Sequence, residues 1–352
     1  MNSFNKKIII AAAALILIAA GVYFFYAKNK TTKVEANYQK ISDQTVLFPT
    51  LSADGTKIIY FNNSQKPAFF MMNLDGTDSQ QLFELDTPDE VFYSDDKTQA
   101  IVQVVYKQYI FEKYGSKFSS PGTTDQSLTT WQLDMKTGNP QKLNDRIASV
   151  AWLDKNKIIY ELLDQDNNIN TLYSAYSNGT NAGKIIDLPE LTGFGISKTD
   201  DFENLIVYSI PTDVSKTTIY KLNLKNKTLD KITELDDPVK VVALSAEQAL
   251  AAVRPAANNP ELIVIGANYR KDLGVSATTA NVARTADNEI FVAARDTKKN
   301  SNTFYKITLD TGKKTVISLK PAVDLDVNSL LISLDKKTIF FFDNNAAYSL
   351  NL

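Results

Sequence analysis

The sequence predicts an all-β fold assembled from repeated four-stranded units and preceded by a single apolar helix. Three observations predict it. An uninterrupted apolar run stands near the start; short β-branched and aromatic runs punctuated by turn residues fill the chain from Val46 onward; and those runs recur in register. With 44% hydrophobic and 22% charged residues, the 352-residue chain can bury a substantial core.

The apolar run extends from Ile8 to Ala27 behind Lys6 and Lys7. About 20 residues at ~1.5 Å each make ~30 Å of helix, enough to cross a bilayer core. A cleaved signal peptide would end near Ala19-Ala20-Gly21, but Val22-Tyr23-Phe24-Phe25-Tyr26 continues the run and sets aromatics where a membrane interface favours them. The expected organisation is a short cytoplasmic tail (1–7), a transmembrane signal-anchor (8–27), a polar linker (28–36) and an extracytoplasmic body (37–352).

The clearest unit of the body begins at Thr45-Val-Leu-Phe-Pro-Thr-Leu-Ser52-Ala-Asp54-Gly55, followed by Ile58-Ile-Tyr-Phe61. Next come Ala68-Phe-Phe-Met-Met-Asn-Leu74-Asp75-Gly76 and Gln80-Gln-Leu-Phe83. This reads as four strands with Asp-Gly turns supplying the positive φ of tight hairpins. First-strand landmarks return at Val91–Ser94, Val150–Leu153, Phe194–Ser197, Val242–Ser245, Val282–Thr285 and Leu331–Ser333. Six steps from Ser52 to Ser333 average about 47 residues, a propeller-blade period.

Ser52-Ala-Asp54-Gly55, the apolar strand after it and Met72-Asn-Leu-Asp75-Gly76 resemble the TolB-type, WD40-like β-propeller repeat. The resemblance covers about residues 45–352 and is close only in the first unit; later units lose the Asp-Gly pair, as in Ser245-Ala-Glu-Gln248. It implies a β-propeller; the first unit and its six recurrences point to seven blades, with six or eight as alternatives. The last unit stops after its third strand, and Val34–Ile41 reads as a fourth strand with nothing to follow. Pairing the two would close the ring and remove an exposed edge.

With no Cys and no His, thiolate catalysis, disulfides, the Ser-His-Asp triad and most zinc sites are excluded. Ser94-Asp-Asp-Lys97, Ser333-Leu-Asp-Lys336 and Lys136-Thr-Gly138 mimic the motifs of penicillin-binding enzymes, but they fall where the repeat places turns. Asp164–Asn170 alternates oxygen ligands as calcium loops do, yet Ile169 and Ala175 occupy the positions that need Gly and an acid. Asp95-Asp96, Asp200-Asp201 and Asp236-Asp237 are adjacent pairs, which in a strand point to opposite faces and cannot flank one glycosidic bond. No catalytic residue, cofactor or metal is therefore expected, and a net charge of −2 without a basic face argues against nucleic acid.

The expected function is a non-catalytic, membrane-anchored scaffold that binds protein, peptide or envelope polymer. A glycan-active hydrolase or lyase, and an accessory subunit of an envelope assembly complex, are the alternatives. Candidate partner-binding residues are Tyr106, Tyr109, Phe111 and Tyr114, in the long insertion between the second and third strands of the second unit, with Arg254 and Arg295 at the ends of two second strands. Aromatics supply rigid contact area, and paired guanidinium groups grip anions.

Overall fold

The turn Ser52-Ala-Asp54-Gly55 sets a local geometry that the chain then reuses. Ser52 Oγ donates to Asp54 Oδ1 at 2.6 Å and accepts the Lys57 amide at 3.0 Å, while Asp54 Oδ1 accepts the Thr56 amide at 3.1 Å. These bonds to Ser52 and Thr56 hold the Asp54 carboxyl down at about 2. Gly55 sits at φ +69°, in the left-handed region. Two later turns keep the same Ser-to-Asp bond, Ser94 to Asp96 at 2.8 Å and Ser333 to Asp335 at 2.6 Å. Lys97 and Lys336 stand there in place of the glycine, each at φ +58°. The enzyme-like Ser-x-x-Lys strings are thus turns in which lysine accepts a glycine conformation. Lys136-Thr-Gly138 is a turn as well, its Lys136 and Thr137 amides donating to Asp134 Oδ1.

The computed structural model describes residues 32–352 apart from 65, 107–126, 145–146, 165–168, 190–192, 200, 202, 211–215, 236–238, 254–259, 287, 297–300, 322–323 and 344–345. Ile8–Ala27 lies outside the described residues, among which no helix is long and apolar enough to cross a membrane. The strands form five four-stranded antiparallel sheets, in residues 47–84, 90–142, 147–187, 193–235 and 239–276, and one eight-stranded sheet. Each four-stranded sheet is a meander in sequence order. First strands of successive sheets touch around a circle that returns from Ser329–Ile332 to Leu47–Leu51, and the short 3-10 helix Thr279–Asn281 bridges the step from the fifth sheet to the strands that follow. The architecture is an all-β propeller.

Its core is a series of apolar slabs between sheets. Ile59, Phe61 and Phe69 of the first sheet pack with Ala100, Val102 and Leu133 of the second. Leu250 and Leu262 of the fifth pack with Ile290 and Val292 of the next. Period-2 alternation explains this, because each strand sends neighbouring side chains to opposite faces and both faces meet another sheet. That is why second strands such as Asn204–Ile210 are buried at nearly every position.

The eight-stranded sheet closes the ring. Its two halves, residues 282–320 and 329–351, are joined by the N-terminal strand Thr32–Ser42. Residues Thr32 to Asn37 run parallel to Thr315 to Lys320, and Tyr38 to Ser42 then run antiparallel to Leu350 to Ala347. The expected pairing with the last strand is present from Tyr38 onward. Thr32 and Lys33, expected in the linker, are strand as well, and residues 32–37 lie against the preceding half and not the last strand, because the open edge of Lys314–Lys320 offers them backbone partners. Tyr38 seals the seam edge-on to Tyr348 at 5.8 Å and against Phe341 at 6.2 Å, and Phe341 stacks on Tyr348 at 5.0 Å.

Two outcomes follow for stability. Removing residues 32–42 from a body that starts at residue 32 bares the edges of both flanking strands; thermal unfolding should fall by more than ~5 °C, and an unchanged midpoint would show that the ring closes without this strand. Lys97→Gly and Lys336→Gly should each stabilise by about 0.5–1 kcal/mol in denaturant titrations, whereas Gly55→Ala should destabilise. Its new Cβ would take up the strained φ and meet Leu334 Cδ1 at 2.5 Å.

Candidate functional site

The meander alternates direction, so connections between second and third strands emerge on one face together with the links from each fourth strand to the next sheet. This is the connection face; the tight turns occupy the opposite, turn face. The second sheet's hairpin pairs Tyr106 with Ser127, so residues 107–126 depart from and return to the connection face. Tyr109, Phe111 and Tyr114 lie within that segment and outside the described residues, as do Arg254 and Gln165–Asn168 of the calcium-like string. Of Tyr106 the backbone alone is described, as the end of strand Gln99–Tyr106.

Arg295 is described. It ends its second strand, and its guanidinium lies 3.6 Å from Asp326 on the link to the last unit. Arg295 and its neighbours Ala294 and Asp296, with Thr303 and Tyr305, line a cleft of about 240 Å³ whose other wall is Gly274 and Val275 of the fifth sheet. A second, shallower cleft of about 500 Å³ is bordered by Lys66, Pro67, Glu84, Leu85 and Asp86. Both open on the connection face. Among the described residues no group of three or more acidic side chains is placed to hold a metal ion.

Beneath this face lies a set of polar contacts that sequence patterning did not single out. The fifth residues of three successive second strands are Gln103, Glu161 and Tyr208, where the other units carry Phe61, Ala252, Ala293 and Phe342. Each reaches the first strand of the following sheet. Gln103 Nε2 donates to the Ile147 carbonyl at 3.3 Å, the Phe194 amide donates to Glu161 Oε2 at 2.9 Å, and the Val241 backbone hydrogen-bonds the Tyr208 hydroxyl. First strands answer in the other direction. Tyr93 donates to the Phe48 carbonyl at 2.8 Å and Trp152 Nε1 to the Phe92 carbonyl at 2.8 Å. The polar residue inside Ile158-Ile-Tyr-Glu161-Leu-Leu163 is the signal that register alignment with Ala100-Ile-Val-Gln103 could have exposed.

Glu161 is fully buried. Ser149 donates to Oε2 at 3.2 Å and Asn170 hydrogen-bonds the carboxyl, but Oε1 has no partner among the described residues. Burial outweighs these bonds and pushes the carboxyl up to about 7.

Comparison with known proteins bears on the fold. No family model matches the chain, and no curated protein matches it. Among solved structures it is similar to the β-propeller domain of Cps50 (Swd1) from Myceliophteria thermophila, at a TM-score of 0.57 and 7% identity, over 90% of this chain and 99% of that one. It is similar to a prolyl endopeptidase at 0.55 and 11% identity, over 86% of this chain and 47% of that one. TolB from Acinetobacter baumannii aligns at 0.43 and 12% identity, over 88% of this chain and 55% of that one. The chain therefore spans about half the length of two of these proteins. At such identities the likeness to the first two shows a propeller fold.

Glu161 makes stability depend on pH. A carboxyl at about 7 when folded and near 4.5 when unfolded keeps its proton preferentially in the native state. Stability is then complete below pH ~4.5, declines as pH rises to 7 and is lowest above it, by on the order of 3 kcal/mol. Glu161→Gln keeps an acceptor for the Phe194 amide without the charge. It should melt above the parent protein at pH 8 and level with it near pH 4; a pH-independent difference would mean that Glu161 is not the titrating group.

Proposed function

We propose that this chain is a non-catalytic, membrane-anchored, seven-bladed propeller that binds a protein, peptide or envelope polymer on its connection face. Counting the halves of the eight-stranded sheet as two blades, with the N-terminal strand completing the second, adds two to the five four-stranded sheets. The apolar packing supports that count: the slab of Phe291, Phe304, Phe341 and Leu350 lies between the two halves, as other slabs lie between separate sheets. The Ile8–Ala27 run supplies the anchor and places the body outside the cytoplasm in this reading.

The observation that carries the binding face is that both clefts open on the side of the disc where the strands flanking residues 107–126 pair Tyr106 with Ser127. Side chains at the clefts include Glu84, Asp86 and Asp296 beside Lys66 and Arg295, so cationic groups on a partner are favoured there. Arg295 already faces Asp326, which makes it a weak anchor for an anion.

Capture with the body, residues 32–352, followed by cross-linking mass spectrometry should place partner contacts at Lys66 and along 107–126. Contacts confined to the turns at Asp54 and Asp75 would overturn the assignment of the face. Arg295→Ala should weaken binding by less than ~1 kcal/mol, as expected of an exposed, screened pair. Mass spectrometry of the mature protein should find residues upstream of Val22; a homogeneous start near Val22 would remove the anchor.

A further inference from the structure

The N-terminal strand enters the disc at a defined place. Thr32 pairs with Thr315, two residues past the turn that ends at Lys313, so the chain arrives at the turn-face end of the outer strand Lys314–Lys320. Only residues 28–31 separate Thr32 from the end of the apolar run at Ala27. Five Cα steps reach at most about 18 Å. Strands of six to eight residues make the disc about 20–26 Å thick. An anchor at 8–27 therefore keeps the turn face close to the bilayer and holds the connection face beyond the tether's reach.

The surface beside that entry point has the chemistry of a headgroup contact. Lys33, Lys313, Lys336 and Lys337 are exposed there, against the carboxylates of Asp310 and Asp335 on the same turns. Asp335 is exposed and bonds within its own loop, accepting from Ser333 Oγ at 2.6 Å and from the Lys337 amide at 3.1 Å, so the four lysines outnumber the two carboxylates without being free of them. Leu334 stands at the tip of its turn 65% exposed, and Leu352, 50% exposed, is tied to the Lys337 carbonyl through its amide at 2.8 Å. Val34, in the entering strand, is a further exposed apolar residue, and the turn face also exposes Tyr176 and Tyr269. Lysines around protruding apolar and aromatic side chains suit anionic phosphates above a shallow hydrocarbon boundary.

We infer that the turn-face sector formed by Lys33, Lys313, Leu334, Lys336, Lys337 and Leu352 rests on anionic phospholipid headgroups and orients the propeller with its connection face away from the membrane. The inference rests on the anchored reading above and adds a lipid-contacting surface to it.

The chain contains no cysteine, so single replacements report single sites. Full chains carrying Leu334→Cys or, on the connection face, Lys66→Cys would be labelled with a polarity-sensitive fluorophore. They would then be reconstituted into phosphatidylcholine vesicles with and without phosphatidylglycerol. The expected result is a blue shift of the Leu334 probe in phosphatidylglycerol vesicles, a water-like signal from the Lys66 probe, and loss of the shift when Lys33, Lys313, Lys336 and Lys337 are all replaced by Glu with melting unchanged. A water-like Leu334 probe in vesicles that retain the protein through alkaline carbonate overturns the lipid contact while leaving the anchor intact. An equal shift without phosphatidylglycerol overturns the role of the lysines. Release of the whole chain by carbonate overturns the anchored reading, and the lipid contact with it.

Discussion

A ring of sheets has to dispose of the edges at which its chain begins and ends. Among the described residues each four-stranded sheet pairs its strands within its own meander and keeps one open outer edge, but the last unit has only three strands of its own, and both Ala347–Asn351 and the outer strand Lys314–Lys320 lie beside the entering N-terminal segment. One eleven-residue strand answers both, lying parallel to the first of these edges in chain order and antiparallel to the second. The seam is then packed by Tyr38 against Phe341 and Tyr348, so hydrogen bonding and apolar burial are satisfied by the same segment.

Between sheets the dominant force is burial of apolar area, which is non-directional and would tolerate sliding of one sheet over the next. The polar latches supply direction. Gln103, Glu161 and Tyr208 at one register, and Tyr93 and Trp152 at another, link a side chain of one sheet to the backbone of its neighbour. Their cost is visible at Glu161, whose burial raises its carboxyl to about 7; further round the circle Lys314 Nζ donates to the Gly274 carbonyl, and Asn302 Oδ1 accepts the Val327 amide. Aromatic contacts such as Phe304 with Phe341 at 5.2 Å pack between the last two halves as well.

The two faces follow from the meander and differ in how their polar groups are used. On the turn face, Ser, Thr and Asp side chains are consumed by their own turns, and Asp54 is held acidic for that reason. On the connection face lie two clefts, one of them between sheets, the geometry in which loops can specialise without disturbing a packed core.

Much of this was readable from the residues alone. Alternation of apolar and polar positions, the Asp-Gly turns and a recurrence of about 47 residues determined strands, hairpins and the propeller class, because these signals are local and the pleat has a strict period of two. The missing fourth strand of the last unit even pointed to Val34–Ile41 as its partner. What tertiary structure decided were the properties that arise between units. Lys97 and Lys336 adopt a left-handed conformation that composition disfavours, since the turn around them is over-determined by the Ser-to-Asp bond. Residues 32–37 paired with a neighbouring open edge and not with the last strand, Arg295 turned to Asp326, and Glu161 was recruited to a neighbouring backbone. A side chain's partner across an interface is set by how two sheets dock, and that information is not carried by the strand in which the residue lies.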